Sequence, residues 1–441
     1  MTTPIEQALT LPCGLVLPNR IVKAAMTESL ASPDNMATPE LANLYSVWAK
    51  GGSGTLITGN VLVDRRYLEA AGNVAIDGEP PKEALTQLSA WAQAGKDNGA
   101  VMIMQINHSG RQTPKAICER PVAPSAVALD MPGRSIAPFG HPRALTAEEI
   151  EEIIERFVTV VRTAGRAGFD GVQIHGAHGY LISQFLSPKA NQRNDQWGGS
   201  LENRSRFLLE IIRRSRDAVQ PGFAIGVKLN SADFQQGGFT HEDCLAVVDW
   251  LNGEAVDFIE LSGGNYEQPQ MMGADIGKAP ISDGRLSAST IAREAYFVEY
   301  AKSVSARAKA PVIATGGFRT RTSMNAVLES QMTDLIGLAR PLCAEPDLPN
   351  KLFSGAEDEG LLVVDDAAIG PTRFLSAQSP FRLIKAMHIF AKQGWYISQM
   401  HRLAHGEEPD PNLSLWSALM EMQKIQNKTS KAYLADIAWE G

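Results

Sequence analysis

The stretches PVIATGGFR at residues 311–319 and TDLIGLARP at residues 333–341 decide the fold of this chain. Each one contains a short apolar run that is followed by at least one small residue and an arginine. A strand that is apolar on both faces is typical of a parallel sheet that helices cover on the outside. We therefore interpret the two stretches as consecutive strands of a parallel sheet, with one helix between them.

The same alternation of short apolar runs and longer amphipathic segments extends back to the beginning of the chain. Eight such strands, each followed by a helix, predict an α/β fold, a (β/α)8 TIM barrel that covers residues 1–355. The predicted strands are Arg20–Met26, Thr55–Val63, Ala100–Asn107, Gly171–His175, Ala224–Leu229, Asp257–Leu261, Pro311–Thr315 and Thr333–Leu338. The predicted helices include Pro39–Lys50, Pro81–Asp97, Thr146–Ala167, Leu201–Val219 and His241–Asn252, and Thr146 with Glu149 has the spacing of a capping box.

The rival fold is an open, doubly wound sheet. No GxGxxG motif follows any of the predicted strands, which favours the barrel. Residues Leu9–Pro18 are expected to form an N-terminal hairpin that closes the opposite end of the barrel. Beyond residue 355 the alternation stops, and residues 356–441 are expected to form a C-terminal helical extension that packs on the barrel or at a subunit interface.

Two connections are longer than a strand-to-helix loop requires. They run from His108 to Arg143 and from Ser262 to about Thr290, and both follow the carboxyl end of a strand. The active sites of TIM barrels are built at that end, which we call the mouth. Long loops there indicate a functional role.

Composition excludes several classes of function. The chain is 44% hydrophobic and 20% charged, as in ordinary globular enzymes, and its net charge of −8 argues against nucleic acid or an anionic membrane as the main partner. The N-terminus lacks a basic region followed by an apolar run, so we expect a cytoplasmic protein. The four cysteines are far apart and form no CxxC pair, which argues against a zinc ribbon or a cysteine-rich iron–sulfur site.

The ends of the last two strands predict a phosphate site. Gly316, Gly317 and Ala339 let backbone N–H groups approach an anion, and Arg340 can neutralise it. This site alone does not distinguish flavin mononucleotide (FMN) from a phosphorylated sugar.

Two side chains at the mouth favour a flavin. The amide of Gln105 both donates and accepts hydrogen bonds, which suits the pyrimidine edge of the flavin ring. A buried Lys228 near that edge would stabilise the negative charge of the reduced flavin. Each also has a purely structural alternative, Gln105 as a hydrogen-bonded core residue and Lys228 as one member of an ion pair.

The most specific stretch follows the fourth strand: HGAHGYL at residues 175–181, and then NDQWGGSLENR at residues 194–204. With these motifs the chain resembles the Old Yellow Enzyme family of FMN-dependent ene-reductases (NADH:flavin oxidoreductases), from about Leu9 to Leu352. The resemblance is to the type without an iron–sulfur cluster. It implies a (β/α)8 barrel with bound FMN.

The resemblance also implies residue roles. His175 and His178 would bind the substrate's carbonyl oxygen, Tyr180 would be the proton donor, and Thr27 would tune the flavin potential. The implied cofactor-binding residues are Ala25, Met26, Thr27, Gly59, Gln105, His175, Lys228, Gly316, Gly317, Ala339 and Arg340. NAD(P)H would reduce FMN and leave, and an α,β-unsaturated carbonyl compound would then take its place and receive the hydride on its β-carbon. The implied partners are small molecules only, and the protein would be a monomer or a homo-oligomer.

The chain departs from the family pattern at four positions. Lys228 stands where many members have arginine, so a point charge replaces a bidentate fork. Ala25 replaces a frequent proline and Ala339 a frequent glycine. Ser29 occupies a place where some relatives have an aromatic substrate contact, so the substrate cannot be carried over from the family.

Three alternatives remain open at this point. His175 and His178 have a spacing that suits a metal ion, although no third ligand is evident and we expect no metal. Lys228 at a strand end is compatible with a flavin-free lyase or aldolase that works through a Schiff base. In the third alternative the barrel only binds flavin, and residues Ile369–Gly441 form an interaction module.

Overall fold

The protein is described by a computed structural model at residues 2–129, 138–262, 300–361, 364, 367–370, 379 and 381–440. Eight parallel strands form a closed barrel in which each strand pairs with the next and the last pairs with the first. The predicted (β/α)8 barrel is confirmed. Its strands are β1 (Ile21–Lys23), β2 (Thr55–Ile57), β3 (Val101–Asn107), β4 (Gly171–Gly176), β5 (Ala224–Asn230), β6 (Phe258–Ser262), β7 (Val312–Thr315) and β8 (Leu335–Leu338).

One predicted strand is wrong in extent. The run Thr55–Val63 is not continuous, because β2 ends at Ile57 and a separate strand, Val61–Leu62, pairs with β3 and with Val74–Ala75. The break falls at Gly59, whose backbone N–H donates to Glu28 Oε1 at 3.0 Å instead of to a neighbouring strand. The other predicted strands begin and end within three residues of the observed ones.

Helices surround the barrel and bury their apolar faces against the outer face of the strands. The predicted capping box is confirmed, since Thr146 N donates to Glu149 Oε2 at 2.9 Å and Glu149 N donates to Thr146 Oγ1 at 3.2 Å. None of the helices in the described ranges is both long and apolar enough to cross a membrane. The helices of the barrel region include Pro39–Lys50, Lys82–Ala94, Ala147–Ala167, Leu181–Leu186, Leu201–Asp217, His241–Leu251, Arg321–Glu329, Pro341–Ala344 and Leu348–Ser354, and residues 300–305 are helical as well.

The barrel interior has an apolar lower layer. Alternate residues of each strand point inward, and those nearest the amino ends of the strands form a buried cluster with Leu11 and Leu17 of the N-terminal hairpin. The hairpin strands Leu9–Thr10 and Val16–Leu17 pair antiparallel, as predicted. The hairpin therefore closes the end of the barrel that lies opposite the mouth.

The C-terminal extension consists of two long helices, Arg382–Ala404 and Leu415–Glu440, that pack against each other. They also contact the barrel: His401 Nε2 hydrogen-bonds the Glu28 carbonyl oxygen at 2.9 Å, and the Tyr433 hydroxyl donates to the Arg65 carbonyl oxygen at 2.7 Å. Both carbonyl groups follow barrel strands on the side of the mouth. The extension therefore borders the mouth beside β1 and β2.

The lower layer has no room for an added methyl group at Gly226. A Cβ atom there would overlap the ring of Phe258, which fills the barrel interior. We expect Gly226→Ala to lower the free energy of unfolding by about 1–3 kcal/mol through overpacking, measured as a fall in the thermal unfolding midpoint. Gly165→Ala is the matched control, because its Cβ would lie 3.8 Å from the Phe223 ring inside a helix that alanine favours. Equal midpoints for the two variants would contradict this packing.

Candidate active site

The segment that follows β4 carries three predicted catalytic residues. His175 belongs to β4, and His178 lies in the turn after it with φ of 62°, a left-handed conformation that few residues adopt. Two side chains hold this strained peptide: His178 N donates to Asn230 Oδ1 at 3.1 Å, and Gln112 Nε2 donates to the His178 carbonyl oxygen at 2.9 Å. The ends of β3, β4 and β5 thus jointly fix the position of His178.

The structure brings the three predicted catalytic rings together. The ring centroids of His175 and His178 are 4.9 Å apart, those of His175 and Tyr180 are 4.9 Å apart, and those of His178 and Tyr180 are 6.5 Å apart. His175 and Tyr180 are buried, and His178 is half-buried. The rings form one compact cluster at the mouth.

The hydrogen bonds of His175 and His178 define what each imidazole can offer. His175 Nδ1 accepts from Ala177 N at 3.2 Å, which assigns the ring proton to Nε2. His178 Nε2 lies 2.5 Å from Ser262 Oγ, a hydroxyl on the end of β6. Burial lowers the pKa of both imidazoles well below the usual value, and the nearby charge of Lys228 lowers each of them further. Both rings are therefore neutral near pH 7.

A polar layer lies above the apolar lower layer of the barrel. Gln105 Nε2 donates to Gln173 Oε1 at 2.6 Å, and Gln173 Nε2 donates to Glu260 Oε2 at 2.7 Å. The other carboxylate oxygen of Glu260 accepts from Thr315 Oγ1 at 2.7 Å and forms an ion pair with Lys228 Nζ at 2.9 Å. The layer is buried and its members satisfy one another.

The sequence prediction named Gln105 and Lys228 but missed Gln173 and Glu260. The structure shows that Lys228 is in an ion pair, as its structural alternative proposed, and that Gln105 is hydrogen-bonded. The sequence contains an indication for Glu260, which lies within the apolar run FIELS of a predicted buried strand. A carboxylate is rarely buried unless it has a partner, so its position predicts a polar or charged partner inside the barrel. Its partner is identified only by the strand register, in which Lys228 is opposite Glu260.

The loop after β1 also lies at the mouth, and it contains three predicted cofactor contacts, Ala25, Met26 and Thr27. Thr27 Oγ1 donates to the carboxylate of Glu69 at 3.2 Å. Gly59 packs behind this loop, where a Cβ atom would overlap Glu28 and the Met26 carbonyl oxygen. Gly59 therefore allows the segments after β1 and β2 to approach each other, and its predicted contact with the cofactor stays a prediction.

The residues predicted to cradle a phosphate lie at the ends of two neighbouring strands. Gly316 and Gly317 both have positive φ, 115° and 81°, a conformation that glycine adopts without strain. Among the described residues, no atom would lie within 4 Å of a Cβ atom on Gly316, so they leave the space in front of it open. Arg340 is exposed, and within the described ranges its guanidinium group forms no hydrogen bond or ion pair. These features fit a phosphate group: open backbone and an uncommitted cation.

The two long connections are described only in part. In the first, Val122–Ala123 pairs with Arg143–Ala144, and residues 130–137 lie outside the described residues. Almost all of the second, residues 263–299, lies outside them as well. Within the described ranges, no group of three or more His, Cys, Asp or Glu side chains is placed to hold a metal ion.

A closed parallel barrel with a glycine cradle and paired imidazoles at one mouth defines a TIM-barrel enzyme that holds a phosphate-bearing cofactor. Comparison with known proteins narrows this class. A family model described as the NADH:flavin oxidoreductase / NADH oxidase family matches residues 14–359. A NADH-dependent flavin oxidoreductase of Hypocrea jecorina is 38% identical over 363 residues, which cover 79% of this chain and 88% of that protein.

Solved structures agree with this match. A 2-naphthoyl-CoA reductase in complex with 2-naphthoyl-CoA has a TM-score of 0.70 at 25% identity, over 80% of this chain and 52% of that one. An Old Yellow Enzyme homologue from Zymomonas mobilis shares the fold, with a TM-score of 0.65 at 24% identity over 86% of this chain and 98% of that one. The chain belongs to the NADH:flavin oxidoreductase / NADH oxidase family, that of the Old Yellow Enzyme. The predicted FMN cofactor and nicotinamide reductant are confirmed.

The neutral state of His178 has a measurable consequence for stability. Its pKa is lowered in the folded protein, so below about pH 6.5 the unfolded chain binds a proton that the folded protein does not. Stability therefore falls as the pH falls below about 6.5, by about 1.4 kcal/mol per pH unit for each such histidine. His178→Asn keeps a residue that tolerates positive φ. Below pH 6.5 we expect its free energy of unfolding to decline less steeply with falling pH than that of the wild type, by up to about 1.4 kcal/mol per pH unit.

Denaturant unfolding at a series of pH values measures this difference. Above about pH 7.5 the two curves should run parallel, because neither state then protonates the ring, and this range is the internal control. Parallel curves below pH 6 as well would show that His178 titrates normally in the folded protein.

Proposed function

We propose that the protein reduces the carbon–carbon double bond of an α,β-unsaturated carbonyl compound, with NAD(P)H as the reductant. The observation that carries this proposal is the cluster of two neutral imidazoles and one tyrosine at the mouth of an FMN-type barrel. Residues 1–355 would form the catalytic barrel, and residues 356–441 the extension that borders its mouth.

The residues at the mouth fit FMN. The amides of Gly316 and Gly317, the Ala339 backbone and the cation of Arg340 would hold the phosphate. Gln105 and Lys228 would face the pyrimidine edge of the ring, and Ala25, Met26 and Thr27 would border it from β1. When bound, FMN supplies a group that accepts a hydride from the nicotinamide and passes it to the second substrate.

His175 and His178 would bind the carbonyl oxygen of the substrate. Negative charge grows on that oxygen as the β-carbon receives the hydride, and donors already aimed at it contribute about 3 kcal/mol each to the transition state. The ring proton of His175 is on Nε2, because Nδ1 accepts from the backbone, so this imidazole is an oriented donor. Its neutral state matters, since a buried imidazolium without a charged partner would be costly.

Tyr180 would protonate the α-carbon of the substrate as a general acid. Its ring lies beside that of His175, and its side chain is only 3% exposed. Burial keeps bulk water away from the developing carbanion, so the proton is delivered from one defined side.

A spectroscopic experiment tests the proposal as a whole. The flavin absorption band should bleach anaerobically with NADH or NADPH and return when 2-cyclohexen-1-one is added. Cyclohexanone, the saturated ketone of the same size, is the matched control and should leave the band bleached. Return of the band at equal rates with both ketones, or with neither, would refute reduction of the double bond.

The role of Tyr180 can be tested separately. Tyr180→Phe removes the acidic proton, and general acids contribute about 10²- to 10⁴-fold to rate. Reoxidation of the reduced enzyme by 2-cyclohexen-1-one should slow by about that factor, whereas reduction by the nicotinamide should change by less than about twofold. Stopped-flow measurement of the two half-reactions gives both rates.

Tyr433→Phe is the matched control for this variant, because the Tyr433 hydroxyl bonds the Arg65 carbonyl oxygen on the outer side of the mouth. Both of its half-reactions should keep the wild-type rates. An equal loss in both half-reactions of Tyr180→Phe would contradict a role as proton donor.

A further inference from the structure

Glu260 is a charged group that lies beneath the mouth and has no role in the proposed chemistry. It is fully buried on β6. One carboxylate oxygen contacts Lys228 Nζ at 2.9 Å and Thr315 Oγ1 at 2.7 Å, and the other contacts Gln173 Nε2 at 2.7 Å. A buried ion pair rarely makes a protein more stable than apolar packing would. Stability alone therefore does not explain why a carboxylate is buried at this position.

Glu260 controls the charge at the bottom of the cofactor site. A cation beside the pyrimidine edge of a flavin stabilises the reduced form, which carries negative charge. The carboxylate 2.9 Å from Lys228 opposes that field at the flavin edge, because it carries the opposite charge. With Glu260 present, Lys228 can act as a hydrogen-bond donor without acting as a lone charge.

Glu260 also determines the direction of the hydrogen bonds in the polar layer. A carboxylate only accepts, so Gln173 must turn its NH2 group toward Glu260 and its oxygen toward Gln105. Gln105 must in turn direct its own NH2 group at Gln173, as observed at 2.6 Å. The orientation of the Gln105 amide is therefore fixed by a carboxylate two hydrogen bonds away.

We propose that Glu260 is a positioning residue that sets the redox potential of bound FMN, by neutralising Lys228 and by orienting the amide of Gln105. The proposal rests on the proposed function in placing the flavin ring over these two side chains. Glu260 keeps the potential lower than a lone lysine would.

Glu260→Gln tests this directly, because glutamine has nearly the same shape, removes the negative charge and replaces one acceptor oxygen with an NH2 donor. The midpoint potential of the flavin should rise, since the unpaired Lys228 then favours the reduced form. A tenfold increase in the ratio of affinities for reduced over oxidised flavin corresponds to about 30 mV for a two-electron couple. We expect a rise of at least this size, measured by equilibration of the holoenzyme with a reference dye.

Two further variants separate charge from structural damage. Glu260→Gln combined with Lys228→Met restores a neutral site, and its potential should return toward the wild-type value by more than half of the single-variant shift. Asp257→Asn is the matched control. Asp257 lies just before the amino end of the same strand, and the substitution breaks its ion pair with Arg216, in which the charged atoms are 2.5 Å apart. It should leave the potential unchanged.

Several results would overturn the proposal. They are an unchanged potential in Glu260→Gln, an equal shift in the double variant, or an equal shift in Asp257→Asn. If Glu260→Gln does not fold, the neutral double variant still tests the proposal. A midpoint potential that differs from the wild-type value by about 30 mV, which is a tenfold change in the ratio of affinities, would contradict charge cancellation. The dye measurement uses no nicotinamide and no enone, so failure of enone reduction would refute the proposed function and leave this inference standing.

Discussion

The ion pair between Lys228 and Glu260 belongs to the polar layer that separates the apolar lower layer of the barrel interior from the mouth. Below it, most inward-facing side chains are apolar, and the ring of Phe258 leaves no room for a methyl group on Gly226. Around it, the side chains of Gln105, Gln173 and Thr315 hydrogen-bond one another or the carboxylate of Glu260. Because an unpaired buried polar group costs about 1–3 kcal/mol, such a layer is tolerated only when its members satisfy one another.

The arrangement at the mouth depends on the order of the strands in the barrel. His178 is carried by β4, but its peptide is held by Asn230 from β5 and by Gln112 from the loop after β3, and its ring contacts Ser262 on β6. These residues are far apart in sequence and meet because β3, β4, β5 and β6 follow one another around the barrel. A single left-handed residue is costly on its own, and its persistence here reflects the contacts that surround it.

Features that depend only on residues close together in the sequence were predictable. The strands were found because they are buried on both faces, and the helix start at Thr146 because a capping box lies within four residues. The ring cluster of His175, His178 and Tyr180 followed from a motif of one continuous stretch. The roles of these residues in catalysis are still proposals.

Features that depend on register or on packing between distant segments were not predictable. Glu260 is paired with Lys228, which is opposite it on the neighbouring strand, and no pattern in the nearby sequence indicates that pairing. The break of the predicted strand Thr55–Val63 arises because Gly59 packs against the loop after β1. In both cases the decisive partner lies at least 30 residues away along the chain.

The C-terminal extension reaches the cofactor side of the barrel through the same kind of distant contact. His401 bonds the carbonyl oxygen of Glu28, and the carboxylate of Glu28 accepts hydrogen bonds from Tyr45 and from the backbone of Gly59. Lys23 lies in this buried group, and burial lowers its pKa to about 8. Glu28 directly follows the segment from Ala25 to Thr27 that would border the flavin. The extension therefore contacts the backbone of the residue that directly follows this segment, in addition to its contact with Arg65.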